Sequence, residues 1–282
     1  MSELFLEHDH SELYRKYRPK YPKEIFEIID RKLTESTDKL PDHLREEYKR
    51  NKQSKWRVAL DVACGTGFAT LMLPPHFQSS YGIDASEAQI HQAKIEYGCR
   101  DPSRVTFLCD DALNIEKMFQ RDSVDLIIIC QAVHWLERGK FFKICQNVLR
   151  PGGMLVLIGY AGYTFDDERL EEINKEFILT VCKGNETIMN HFLDKYESIS
   201  IELKKYFPNS GRCDSYMNRI ETSITEYVGY LRSCAVYRNF KKSNPDLHPD
   251  TLDDVIDKSG KLIPIDSPVK ASCEYFMIVG VK

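Results

Sequence analysis

The sequence predicts a doubly wound α/β fold, on three observations. Short apolar runs recur between residues 56 and 160 with the length and continuity of strands buried on both faces. The segments between them carry helix signals. A glycine-punctuated turn follows the first run, at the edge where an open parallel sheet binds its ligands.

Pro22 sits where a first-turn proline is tolerated, and Ile25, Ile28, Ile29 and Leu33 follow at helical spacing, so the chain opens with a helix. Residues Thr34–Lys55 are polar and charged and read as a solvated linker or exposed helix; the charge run Arg45–Lys55 reads as surface. Five strand-type runs then follow at Val58–Val62, Tyr81–Asp84, Val105–Leu108, Val124–Cys130 and Met154–Ile158. Between them, Ser86 and Gln89 have the spacing of a capping box. Phe141, Ile144, Cys145, Val148 and Leu149 form an apolar stripe stopped by Pro151-Gly152-Gly153.

After Tyr160 the alternation ends. Ile173, Phe177, Ile178 and Val181 make one amphipathic helix. Ser223 and Glu226 cap a second that carries Tyr227, Tyr230 and Leu231, and Thr251 with Asp254 starts a third, ended by Gly260. Ala271–Val281 reads as a final strand. The segment from about 160 to 260 thus reads as a helical cap ahead of that strand.

Composition narrows the function. A net charge of −4 over 282 residues offers no basic excess, which disfavours nucleic acid as a partner. Nine cysteines occur without a CxxC pair or zinc-type spacing, so no metal site is expected, and an odd number of thiols suits a reducing compartment. Met1–His10 lacks an apolar leader core and no run reaches membrane-spanning length, which points to a cytoplasmic chain with no membrane partner. Nothing in the sequence encodes the oligomeric state.

The chemistry concentrates at the ends of the runs. In Val58-Ala-Leu-Asp-Val-Ala-Cys-Gly-Thr-Gly67 a buried strand enters a turn at Gly65, Thr66 and Gly67. Glycine there lets backbone approach a ligand closely, and a helix is expected to follow with its positive dipole end toward the turn. The third glycine of a dinucleotide fingerprint is replaced by Thr70. Asp61 places a carboxylate beneath the turn, which would repel a diphosphate but bind an amino acid's ammonium. This favours S-adenosylmethionine over a nicotinamide dinucleotide. Asp84, about 20 residues on, suits a pair of ribose hydroxyls. Asp111 and Ala112 follow the third run, where a carboxylate accepts from an adenine amine; a turn aspartate is the plainer alternative. Gln131, His134 and Trp135 follow the fourth run, His134 as a general base or anion donor, or as a locally bonded ring, and Trp135 as a pocket wall. Tyr14, Tyr17, Arg18 and Tyr21 read as a lid over the site or as a packed surface helix. Arg232 and Tyr237 could meet an acidic substrate, although arginine on a helix is more often a solvated charge.

Five stretches, LDVACGTG (60–67), GIDAS (82–86), CDDA (109–112), VDLIIICQAVHW (124–135) and LRPGGMLV (149–156), resemble in order and spacing the class I S-adenosylmethionine-dependent methyltransferases. YRKYRPKYP (14–22), His134-Trp135 and LRSCAVY (231–237) are similar to a narrower group, the eukaryotic small-molecule methyltransferases like trans-aconitate methyltransferase. The resemblance implies a Rossmann-like seven-stranded sheet with an antiparallel last strand. It implies that Asp61, Gly65, Gly67, Asp84, Asp111 and Ala112 line S-adenosyl-L-methionine. Ala63, where many members carry glycine, and Cys64 depart from its pattern. The chain then reads as one methyltransferase domain over 1–282: lid helices and insertion at 1–55, cofactor-binding core at 56–160, helical cap at 161–260 and final strands at 261–282. Tyr14, Thr66 and Gln131 join the expected cofactor set; Tyr17, Arg18, Trp135 and Arg232 form the expected substrate set, with His134 catalytic. The expected reaction is methyl transfer to a small-molecule acceptor, with carboxylate O-methylation favoured. An RNA or protein acceptor is the alternative, and it predicts an open groove instead of a capped pocket.

Overall fold

The computed structural model describes residues 8–52, 55–97, 104–183 and 186–282. The five apolar runs are the parallel half of one sheet. β1 (Trp56–Val62), β2 (Phe77–Asp84), β3 (Val105–Cys109), β4 (Val124–Cys130) and β5 (Leu149–Tyr160) lie in the order β3-β2-β1-β4-β5. The direction of winding reverses between β1 and β4, which opens a crevice at their carboxyl ends. β4 shows why the runs lack alternation: Leu126, Ile128 and Cys130 enter the core on one face of the sheet, and Ile127 and Ile129 enter the core on the other.

Beyond β5 come a two-residue strand β6 (Thr164–Phe165), then β7 (Gly211–Thr222) and β8 (Val269–Val281). β8 pairs antiparallel with β5 and β6 along one edge and with β7 along the other. The sheet therefore has the seven long strands and antiparallel last strand that the sequence led one to expect, plus the short β6. β7 is a correction, because residues 161–260 were expected to be helical throughout. As an edge strand it carries Arg219, Glu221 and Met217 outward, and a register shift between Cys213 and Tyr216 breaks its alternation, so no apolar run marks it.

Helices cover both faces. α1 (His8–Tyr17), α2 (Lys23–Asp38) and α3 (Asp42–Lys52) precede β1. α4 (Glu87–Tyr97), α5 (Ile115–Met118) and α6 (Arg138–Val148) connect the parallel strands. α7 (Glu168–Cys182), α8 (Glu186–Leu193) and α9 (Glu197–Leu203) precede β7, and α10 (Ile224–Arg232), α11 (Ala235–Ser243) and α12 (Thr251–Gly260) separate it from β8. The caps read at Ser223 and at the start of α12 are present, although Asp250 rather than Thr251 caps α12.

One local reading changes. The segment after Gly67 was expected to be a helix; it is a single 3-10 turn, Thr70–Met72. Pro74 and Pro75 stand close behind it and remove two backbone donors, so the turn cannot propagate although Leu73 is still helical, with φ −78° and ψ −38°. Of residues 34–55, expected as linker or exposed helix, the described ones complete α2 and form the largely exposed helix α3, while Gln53 and Ser54 lie outside the described residues. Tyr48 of α3 lies 4.1 Å from the Arg150 guanidinium, whose other ring neighbour is Trp56. Arg150 and Asp125 are buried and paired at 2.6 Å, and Asp125 also accepts from the Arg57 and Val58 amides, so this ion pair joins β1, β4 and β5 away from the crevice. Among the described residues no helix is long and apolar enough to cross a membrane.

Candidate active site

The crevice at the carboxyl ends of the parallel strands is roofed by α1, α7, α8, α10 and α11, leaving a cavity of about 220 Å³. Its floor comes from the strand-end loops. Ala63 and Gly65 both take left-handed φ, +56° and +55°. Glycine does so without strain at position 65, while Ala63 holds the conformation that explains why glycine is common there. The Gly65 amide donates to Asp84 Oδ2 at 2.8 Å, and the Ser86 amide donates to Oδ1 at 2.8 Å. Burial pushes the Asp84 carboxyl up, and these two amides pull against it.

Ser86 thereby makes only half of a capping box. Its hydroxyl accepts from the Gln89 amide, but its own amide is spent on Asp84. Gln89 Oε1 is left buried without a partner, beside Gly65, in the cavity wall. Gln89 was read only as a cap. The signal that distinguishes it is Asp84, which competes for the amide that Gln89 would have satisfied.

Asp61 lies beneath this floor, fully buried and outside the cavity lining. Thr70 Oγ1 donates to its Oδ2 at 2.6 Å, and its Oδ1 has no partner. Burial pushes its carboxyl up to about 7, the nearby Asp84 adding to the shift and Thr70 opposing it. A raised carboxyl favours the folded state below the ordinary carboxylate range and loses that contribution as pH rises through 7. Asp61→Asn should therefore stabilise the protein on the order of 2 kcal/mol at pH 8 and little at pH 5, read by denaturant unfolding at both pH values.

Thr66 and Gly67 are corrections. Both lie outside the cavity lining. Thr66 is buried, and a Cβ on Gly67 would stand 2.7 Å from the Phe107 ring. Gly67 serves close packing on β3 and a φ of +84°. Asp111 and Ala112 do line the cavity. Asp111 Oδ1 also accepts from the Leu113 amide, so the turn-aspartate reading holds for one of its oxygens.

Gln131 follows β4 with a φ of +59°, and its side-chain amide donates to the Tyr160 carbonyl at 2.9 Å. His134 and Trp135 follow in a 3-10 turn, and both line the cavity. His134 Nδ1 lies 3.2 Å from the Tyr196 hydroxyl, among the rings of Trp135, His191 and Phe192. Burial, helped by His191, Arg138 and Arg18, pulls its imidazolium down to about 3, so the ring is neutral at physiological pH.

The roof holds the cation. Arg18, just past α1, donates to the Tyr160 hydroxyl at 3.1 Å and to the Ser233 carbonyl at 3.0 Å. It lies over the Tyr14 ring at 4.8 Å and the Tyr230 ring at 5.4 Å. Its Nε–H is buried and has no acceptor. Tyr14 and Tyr21 complete this wall. Burial raises the Tyr14 phenol, with Arg18 opposing.

Two members of the expected substrate set lie elsewhere. Tyr17 is outside the lining and packs α1 onto α10, where a Cβ on Gly229 would come within 2.5 Å of its ring. Gly229→Ala should accordingly cost about 1–3 kcal/mol, measured by thermal unfolding. Arg232 is exposed and lines a separate surface depression with Lys241 and Asp250. Tyr227, Tyr230 and Leu231 point the inner face of α10 at the core, which turns position 232 to solvent.

Residues 60–157, which span β1 to β5, match a family model described as "Methyltransferase domain". A Dictyostelium discoideum protein named as a methyltransferase is 24% identical over 281 residues, covering 92% of this chain and 90% of that protein. A Saccharomyces cerevisiae protein named as a probable S-adenosylmethionine-dependent methyltransferase, CRG1, is 24% identical over 217 residues, covering 69% and 74%. A solved Anaeromyxobacter dehalogenans structure, named as a type II methyltransferase, superposes with a TM-score of 0.65 at 20% identity, over 94% of this chain and 98% of that one; this shows the fold. Residues 60–157 thus match a methyltransferase domain, and with this strand order and crevice the chain is an S-adenosylmethionine-dependent methyltransferase.

Proposed function

We propose that this enzyme methylates a carboxylate of a small molecule enclosed between the sheet and the helical roof. The observation that carries this reading is Arg18. Among the described residues it is the one Lys or Arg lining the cavity, and its Nε–H is buried with no acceptor. A buried N–H of a cation left without an acceptor is costly, and an anionic guest removes that cost. Guanidinium also matches carboxylate geometry, since it can present two N–H groups to two oxygens.

The floor fits the cofactor. Ala63 and Gly65 leave backbone exposed, and Asp61 Oδ1 and Gln89 Oε1 are buried acceptors awaiting donors. Asp84, Asp110 and Asp111 form an acidic rim, with Asp61 buried beneath it, that suits an ammonium and hydroxyls and opposes a diphosphate. Asp84 would accept the ribose hydroxyls, Asp61 would answer the amino group's charge from beneath the loop, and Asp111 with Ala112 would border the adenine. Gly65, Gln131 and Tyr14 would form the remaining wall. S-adenosylmethionine supplies a methyl group already activated by a sulfonium charge.

The residues of the roof then have three tasks. Arg18 orients the acceptor carboxylate. The aromatic wall of Tyr14, Tyr21, Tyr160 and Trp135 excludes water and holds the acceptor close, and near-attack placement can be worth about 7–11 kcal/mol. His134 offers a neutral hydrogen-bonding ring. With its imidazolium near 3 it is a weak base, and a carboxylate needs none because it is already ionised at neutral pH.

The test is incubation of the full chain with methyl-labelled S-adenosylmethionine and a deproteinised small-molecule extract. Label is expected in small products that release it as methanol on mild alkaline hydrolysis. Label confined to protein or RNA, or to alkali-stable products, overturns the reading.

A further inference from the structure

Resting on the carboxylate reading above, we infer that the acceptor carries a single carboxylate on an apolar body, with the carboxylate at Arg18 and the body against α7 and α11. The cavity's charged groups are segregated. Asp84, Asp110 and Asp111 belong to the strand-end loops, and Arg18 belongs to the roof. The cap wall is Phe177, Ile178 and Val181 of α7, Leu231 of α10, and Val236 and Tyr237 of α11.

The polar atoms of Asn174, Tyr227 and Tyr237 in that wall are already committed. Asn174 Nδ2 donates to the Tyr163 carbonyl at 2.9 Å and to Glu171 Oε2 at 3.0 Å, while its Oδ1 accepts from the Tyr227 hydroxyl. The Tyr237 hydroxyl donates outward to Asp250 at 2.8 Å. A second carboxylate on the acceptor would therefore enter a wall that, among the described residues, holds no cation and offers no donor beyond the neutral phenols of Tyr163 and Tyr230, which pack together on the Arg18 side. It would lose its hydration without recompense. A hydrocarbon body meets the opposite situation, because each methylene leaves water for an apolar surface. A small tricarboxylate, the acceptor type of the group that the sequence resembles, suits this wall poorly.

The probes are straight-chain monocarboxylic acids of four to twelve carbons, α,ω-dicarboxylic acids of matched length, and the matched primary amides. Binding to the full chain saturated with S-adenosylhomocysteine is measured by calorimetry. Affinity of the monoacids should rise about four-fold per methylene, which is about 0.8 kcal/mol, until the cavity is filled. Each diacid should bind at least ~100-fold more weakly than the monoacid of its length. Ile178→Phe should shorten the preferred chain without changing affinity for S-adenosylhomocysteine. An affinity independent of chain length, or diacids that bind as well as monoacids, overturns this inference and leaves the carboxylate reading intact. Amides that show the length dependence as tightly as the acids do overturn the carboxylate reading and leave the apolar wall intact. Failure of every probe to bind overturns both.

Discussion

Asp84→Ala is expected to weaken S-adenosylhomocysteine binding about 1000-fold, the largest loss from any single change in the floor. A hydrogen bond to a charged group is worth about 1.5–3 kcal/mol, and the proposed role gives Asp84 two such bonds to the ribose. The change also strands two protein donors, because the Gly65 and Ser86 amides both end on this carboxylate. The loop that carries Gly65 then loses its tie to β2 as well as its ligand. Asp84→Asn separates the two effects. It keeps one acceptor for the loop, so thermal unfolding should stay near that of the parent chain while affinity falls by an intermediate factor. Calorimetry with S-adenosylhomocysteine measures both variants. Unchanged affinity in Asp84→Ala would remove the ribose assignment.

Arg18→Met should be the most damaging change in the roof, and its damage should fall on the acceptor instead of the cofactor. Removing one member of a buried charge pair costs about 2–5 kcal/mol, so kcat/KM for the acid acceptor should drop on the order of 200-fold. Methionine keeps most of the volume between the Tyr14 and Tyr230 rings. Affinity for S-adenosylhomocysteine should therefore change less than about three-fold. Arg18→Lys should fall between, since a point charge cannot hold the Tyr160 hydroxyl, the Ser233 carbonyl and a carboxylate together as the guanidinium fork can. The measurement is steady-state kinetics with the esterified acceptor as product. Equal losses for cofactor and acceptor would show that Arg18 serves the fold alone.

How far the sequence disclosed this site depended on whether a residue's neighbours were local. The parallel strands were legible because burial on both faces leaves uninterrupted apolar runs, as in Val124–Cys130. Asp84, Asp111 and His134 were legible as positions because each follows such a run. β7 was not, since an edge strand needs only one apolar face and this one is further broken by its register shift. The missing helix after Gly67 was written in Pro74 and Pro75, yet the glycine pattern outweighed them. Tyr17 and Arg232 went astray for another reason. Tyr17 is claimed by the hollow at Gly229, a contact across 212 positions of chain, and Arg232 faces away from the core by one step of helix phase. Gln89 escaped because its half of the cap is taken by an aspartate on a neighbouring strand end.

The short helix α1 straddles two bodies of the structure. Arg15 pairs with Glu96 of α4 at 2.9 Å, on the side of the strand-end loops, while Tyr17 sits in the hollow of α10 on the side of the roof. A donor and an acceptor that both favour this docked helix are bound to assist one another. By thermodynamic reciprocity the factor by which the first tightens the second must equal the factor by which the second tightens the first. A single pair of titrations, run in either order of addition, therefore measures how firmly one ten-residue helix ties the two halves of the reaction together.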